Sequence, residues 1–134
     1  MVLKPAEVRQ QVQRFVDELS RYIHVERAVL FGSYAYGIPH EGSDIDLAVV
    51  SPDFAKLSRL ERLEFLEEIA WDAQTHHIEP VGFTSEELES ASITSVLSEI
   101  RDRGVIIPVS TRPIEPIVLR DNRPKYTAWT TKNE

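Results

Sequence analysis

Leu30-Phe31-Gly32-Ser33-Tyr34-Ala35-Tyr36-Gly37 and, after Ile38-Pro39-His40-Glu41-Gly42, Ser43-Asp44-Ile45-Asp46-Leu47-Ala48-Val49-Val50 form a glycine-rich loop between two apolar runs. Ala28 to Phe31 reads as a short buried strand that ends at Gly32, and the β-branched, apolar run Ile45 to Val50 reads as a second strand. Ser33-Tyr34-Ala35-Tyr36 has room for one helical turn. Glycine at 32 lets the chain turn sharply and lets a ligand approach the backbone closely. Ser33 then offers an amide and a hydroxyl at the start of a helical turn, where orphan N–H groups favour an anion. After ten intervening residues come Asp44 and Asp46, two apart, so on a strand both carboxylates face one side while Ile45 points into the core. Paired carboxylates beside a phosphate-binding turn make a hard-oxygen site suited to Mg²⁺.

On the N-terminal side, Pro5 suits a first helical turn, and Val8, Val12, Phe15, Val16, Leu19 and Ile23 recur at spacings of three and four. On the C-terminal side, Ser51-Pro52-Asp53 closes the second strand. The pattern next predicts a helix over Leu57 to Ala73, with Leu60, Leu63, Leu66, Ile69, Ala70 and Ala73 inward and Arg59, Glu61, Arg62, Glu64 and Glu68 outward. His77 to Phe83 reads as a third strand. Thr84-Ser85-Glu86-Glu87 has capping-box spacing, which predicts a helix start near Ser85. Ile93, Val96, Leu97 and Ile100 predict a further helix stopped by Gly104, and Val105 to Val109 a last strand. Helices alternating with strands predict a small α/β (α+β) fold, a mixed sheet with helices packed on one face.

The chain of 134 residues is sized for one globular domain, with 42% hydrophobic and 28% charged residues. With no cysteine, disulfide frameworks, thiolate metal sites and cysteine nucleophiles are excluded. No apolar run reaches the roughly 18 residues of a membrane span, and the opening stretch has no apolar signal core, so a cytoplasmic location is expected. A net charge of −7 argues against a dedicated nucleic-acid binder. It does not argue against a nucleotide, because a metal ion can bring phosphate to carboxylates. The charge is uneven: Ser110 to Glu134 hold five basic and three acidic residues, leaving −9 on the first 109. Pro113, Pro116 and Pro124 interrupt that end, so the expected organisation is a domain over 1–109 and an extension over 110–134. Its scattered apolar residues (Ile114, Ile117, Val118, Leu119, Trp129) and its basic residues suit docking on an acidic surface.

Two metals roughly 4 Å apart, the arrangement that stabilises both attacking and leaving oxygens in phosphoryl transfer, require a third carboxylate. Glu79, a charge inside the apolar run His77-Ile78-Glu79-Pro80-Val81, is the candidate. The blander alternatives are a surface residue on an edge strand for Glu79, turn-capping carboxylates for Asp44 and Asp46, and a simple N-cap for Ser33. His24, His40, His76 and His77 do not have the spacing of a metal site. Tyr34 and Tyr36 fit packing or nucleobase contacts, and Trp71 fits the core or an interface.

The stretch from Leu30 to Gly37, Pro39-His40-Glu41, and Ser43 to Val50 resembles the minimal nucleotidyltransferases of the DNA polymerase β-like superfamily, and the likeness runs from the first helix to about Val109. The resemblance implies a Mg²⁺-dependent transferase using ATP or another NTP. Asp44, Asp46 and Glu79 would be the catalytic and metal-binding residues, and Gly32 and Ser33 the nucleotide-binding ones. It further implies a small helical HEPN partner protein, with this chain as antitoxin, in some cases by adenylylating a tyrosine of the toxin. The chain departs from the family at Tyr36, a position often basic, and at Glu79, usually Asp. Transfer to a small hydroxylated molecule, and an antitoxin acting by contact alone, are the alternatives.

Overall fold

The structure, a computed structural model, describes residues 2–91 and 95–108. Helix α1 spans Pro5–Leu19, with Pro5 in its first turn and the Glu7 carboxylate accepting from the Lys4 amide at 2.8 Å. Val8, Val12, Phe15, Val16 and Leu19 are buried as the stripe predicts. Ile23 lies past the helix end, where its amide bonds to the Leu19 carbonyl at 3.2 Å, and it enters the core from the following turn.

Strands β1 (Arg27–Phe31), β2 (Ile45–Val50), β3 (Ile78–Phe83) and β4 (Val105–Ile107) form one sheet in the order β3-β2-β1-β4. β1 pairs antiparallel with β2 and β4, while β2 and β3 are parallel. A parallel neighbour needs a crossover, and helix α2 (Arg59–Asp72) supplies it. β4 ends at Ile107, sooner than the sequence suggests, because Pro108 has no N–H to donate.

The expectation of helices on one face is corrected: both faces of the sheet are covered. Ala28, Leu30, Ile45, Leu47, Val49, Ile78 and Ile107 share one core with the buried residues of α1 and α2. Val29, Ala48, Val50 and Phe83 share a second with Leu88 of helix α3 (Ser85–Glu89) and Ile100 of helix α4 (Val96–Arg103). The cause lies in β2, where Ile45, Leu47, Val49 and Ala48, Val50 give both faces apolar surface that must be hidden from water.

The predicted face of α2 is also corrected. Leu60 and Leu63 are 65% and 39% exposed, and the buried line is Arg62, Phe65, Leu66, Ile69 and Ala70. Arg62 can be buried because each part of its fork is satisfied. It donates to Glu87 Oε1 at 2.8 Å and Oε2 at 3.1 Å, and to the Gly82 and Leu57 carbonyls at 3.2 and 3.1 Å. Glu87 also closes the capping box of α3, accepting from the Thr84 amide at 2.8 Å. One ion pair thus ties α2 to β3 and α3. Helix α2 itself starts at the Ser58 cap, whose Oγ accepts from the Glu61 amide at 3.2 Å. Trp71, expected in the core or an interface, is 71% exposed, with its ring edge-on to His76. α4 ends at Arg103, where Gly104 leads into β4. Ile93, expected in that helix, and the extension over 110–134 lie outside the described residues.

Candidate active site

The end of β1 and the starts of β2 and β3 lie side by side, and strand register decides what meets there. Phe31 pairs with Asp46, and Asp46 pairs with Glu79. Residues directly opposite each other project from the same face of a sheet. Asp46 and Glu79 therefore share a face with Ala48, Val50 and Phe83, the face under α3 and α4. Asp44 precedes the first residue of β2 and lies near enough to the Glu79 carboxylate for its charge to act on it. The structure thus brings together Asp44, Asp46 and Glu79, residues that span 36 positions of the chain.

Gly32 closes the site from the β1 side. Its φ of +74° is left-handed, and a Cβ built there would collide with Asp46 Oδ2. Only glycine lets the Asp46 carboxylate lie against this turn. Gly32–Tyr34 forms a single 3-10 turn, closed by the amides of Ala35 and Tyr36 on the Gly32 carbonyl at 3.0 and 3.1 Å. Ser33 sits inside this turn, so the N-cap alternative for it is set aside. Its amide belongs to the first turn, where N–H groups have no intrahelical acceptor. A Cβ on Gly37 would come within 2.9 Å of Ser33 Cα, so the loop folds back tightly against the serine. Tyr34 points away and packs, its hydroxyl accepting from the Leu3 amide at 3.1 Å.

The carboxylates repel one another. Burial pushes the Asp46 carboxyl up, and the Asp44 charge adds to this. Glu79, though exposed, is also pushed up, by partial desolvation first, then by the charges of Asp46, Asp44 and, on α2, Glu67. Such a cluster is disfavoured until a cation or proton enters it. Hard carboxylate oxygens beside a turn that can accept phosphate are the donor set that Mg²⁺ takes. The residues therefore fit the ion. Among the described residues, no three His, Asp or Glu side chains are gathered closely enough to hold a metal ion, so an ion here would need phosphate oxygens and water for most of its coordination.

One part of the site was not foreseen. The Arg103 guanidinium carbon lies 4.2 Å from the centre of the Tyr36 ring, and Arg103 Nη1 is 3.8 Å from Glu99 Oε1. The Glu99 carboxylate is near enough to act on the Tyr36 hydroxyl. Burial, chiefly, and Glu99 push the phenol up from its ordinary value, against opposing contributions from the Gly32 backbone and Arg103. Sequence offers no local signal for this contact. It depends on the pairing of Leu30 with Val105, which sets the end of α4 beside the loop.

Comparison with known proteins agrees with this fold. Six chains of known structure match. A Sulfolobus solfataricus protein assigned to the nucleotidyltransferases superposes with a TM-score of 0.55 at 16% identity, over 75% of this chain and 79% of that one. A chain from a toxin–antitoxin crystal structure with AMP-PNP superposes with a TM-score of 0.50 at 22% identity, over 93% of this chain and 82% of that one. No curated protein sequence matches. The profile of the nucleotidyltransferase domain matches residues 9–107, which contain the Gly32 turn and all three carboxylates, and the chain belongs to that family.

Proposed function

We propose that the protein transfers a nucleoside monophosphate, AMP from ATP, to a hydroxyl of a partner protein, a tyrosine on a helical HEPN-type toxin, and so acts as an antitoxin. One observation carries the chemistry: Asp44, Asp46 and Glu79 converge beside the Gly32–Ser33 turn through the strand register. Gly32 and Ser33 receive the β- and γ-phosphates at the amides of the turn. Asp44, Asp46 and Glu79 would hold two Mg²⁺, which supply charge neutralisation at the entering and leaving oxygens. The acceptor oxygen attacks the α-phosphorus and pyrophosphate leaves. Glu79, whose carboxyl is held above the ordinary range, is placed to take the acceptor proton. The toxin–antitoxin neighbour with AMP-PNP supports the partner and the nucleotide. The basic extension over 110–134 would contribute to docking that partner.

Incubation of the chain with the partner, labelled ATP and Mg²⁺ tests this. Label should appear on a partner tyrosine and disappear with Asp44→Asn or Asp46→Asn. Wild-type labelling by both variants would refute the assignment. A second reading, an antitoxin acting by contact alone, is favoured by the exposure of Glu79 on the edge strand β3. It predicts neutralisation without label, unchanged in either variant.

A further inference from the structure

From Gly32 to Asp46 the sequence contains no lysine or arginine. The turn proposed to receive a triphosphate therefore has no cation of its own, and three carboxylates stand beside it. Beyond the charge that Mg²⁺ would supply, any protein cation for a polyanion in that place has to come from elsewhere in the fold. The β1–β4 pairing sets Val105 opposite Leu30, which brings the preceding helix end to the same edge of the sheet as Gly32. Ile100 packs with Val29 on the face from which Asp46 and Glu79 project. Arg103, one turn on, lies over the Tyr36 ring.

We infer that Arg103 is the phosphate-contacting cation of this site, held in place by Tyr36 and Glu99. This rests on the nucleotidyl-transfer reading. Tyr36 is fixed at two points: its amide on the Gly32 carbonyl and its ring under Arg103. A guanidinium held over a ring still has several N–H donors in a fixed fork that can meet two oxygens of a phosphate, which a single-point ammonium does not offer. The Glu99 contact at 3.8 Å is at ion-pair distance, longer than a hydrogen bond, so it orients the fork without consuming its donors. The Arg103 side chain is 59% exposed, so phosphate can reach it. An ordinary helix-end cation would also sit at the C-terminus of α4. It would not select between nucleotides that differ only in their β- and γ-phosphates.

The test measures calorimetric binding of ATP and of AMP, each with Mg²⁺, to the full chain. Arg103→Ala should weaken ATP about ten- to hundredfold, the range for a charge-assisted hydrogen-bond pair, and AMP by less than about twofold. The melting temperature should be unchanged. Arg103→Lys should recover part of the ATP affinity. Tyr36→Phe should keep it, because the ring remains, and Tyr36→Leu should lose it. Lys4 follows Leu3, whose amide bonds the Tyr34 hydroxyl, and Lys4→Ala should bind ATP as the wild type does. Equal losses for ATP and AMP, an unaffected Arg103→Ala, or a selective loss in Lys4→Ala instead would each overturn the assignment. A wild-type chain that binds no ATP would remove the nucleotidyl-transfer reading and this inference with it. ATP binding indifferent to Arg103 would remove only the inference.

Discussion

Gly32→Ala is the substitution whose cost can be worked from the coordinates. At φ +74° a Cβ meets the following carbonyl, which costs roughly 1–2 kcal/mol for a non-glycine residue. The new methyl also occupies the place of Asp46 Oδ2, so the aspartate must leave its rotamer at a cost of about 0.5–1.5 kcal/mol. Together these give about 2 kcal/mol, or a fall in Tm of roughly 6–10 °C for a domain of this size. The double-mutant cycle separates the two contributions. In an Asp46→Ala background the carboxylate is gone and only the backbone cost remains, so Gly32→Ala should be milder there by about 1 kcal/mol. Urea denaturation of the four proteins, without nucleotide, reads the coupling. Transfer should fall about 10²-fold or more in Gly32→Ala, because the carboxylate is displaced by a distance comparable to a carbon–carbon bond. Additivity within about 0.5 kcal/mol, or a Gly32→Ala protein as stable and active as the wild type, would show that Gly32 does not cradle Asp46.

Asp46→Asn should abolish transfer yet raise stability at neutral pH. The folded-state carboxyl is pushed up by burial and by Asp44, so ionisation opposes folding; the advantage of Asn should vanish as pH falls below the unfolded carboxylate range, as thermal melts across pH would show. Glu79→Gln should cut turnover by about 10²–10⁴-fold without loss of stability, and full turnover would return Glu79 to a plain edge-strand residue. Arg62→Ala should cost about 3 kcal/mol in urea denaturation, since it leaves Glu87 without its cation beside a buried carbonyl, and Arg62→Met with Glu87→Gln should recover much of it. Burial pushes Glu87 up, but its bonds to Arg62 and Thr84 outweigh this and leave it lowered. The stability it contributes is present above the unfolded glutamate range and lost in acid, a pH trend opposite to that of Asp46. Deletion after Val109 should weaken partner binding, most visibly at low salt.

What was legible in the sequence is what a short window contains. The stripe of α1 repeats within one helix, and Gly32, Ser33, Asp44 and Asp46 lie within one strand–loop–strand unit, so spacing alone singled them out. The inward face of α2 was not legible. Leu60 and Leu63 fit a helical stripe with Leu66 as well as Arg62 and Phe65 do, and what turns Arg62 inward is Glu87, 25 residues away. Arg103 and Tyr36 are further apart still, and only the β1–β4 register joins them. The third carboxylate lies between these cases. The charge in an apolar strand singled out Glu79, but its position opposite Asp46 needed the parallel pairing of β2 with β3.

The two-sided core explains why that pairing holds the site so firmly. β2 presents Ile45, Leu47 and Val49 to the α1–α2 core and Ala48 and Val50 to the α3–α4 core. A slip of one residue against β1 would turn Asp46 into the α1–α2 core, where Ile45 and Leu47 are now fully buried. That would bury a carboxylate without a partner, a cost of several kcal/mol that no local change in β2 offsets. A slip of two would keep the faces but move Asp46 away from both Gly32 and Glu79, and in one direction would set it in the buried place of Ala48 opposite Val29. The apolar residues of β2 therefore hold Asp46 at one height on one face. Substituting Ile45 or Leu47 by a polar residue should reduce transfer beyond its effect on stability, because the same side chains that form the core also set the register of the carboxylates.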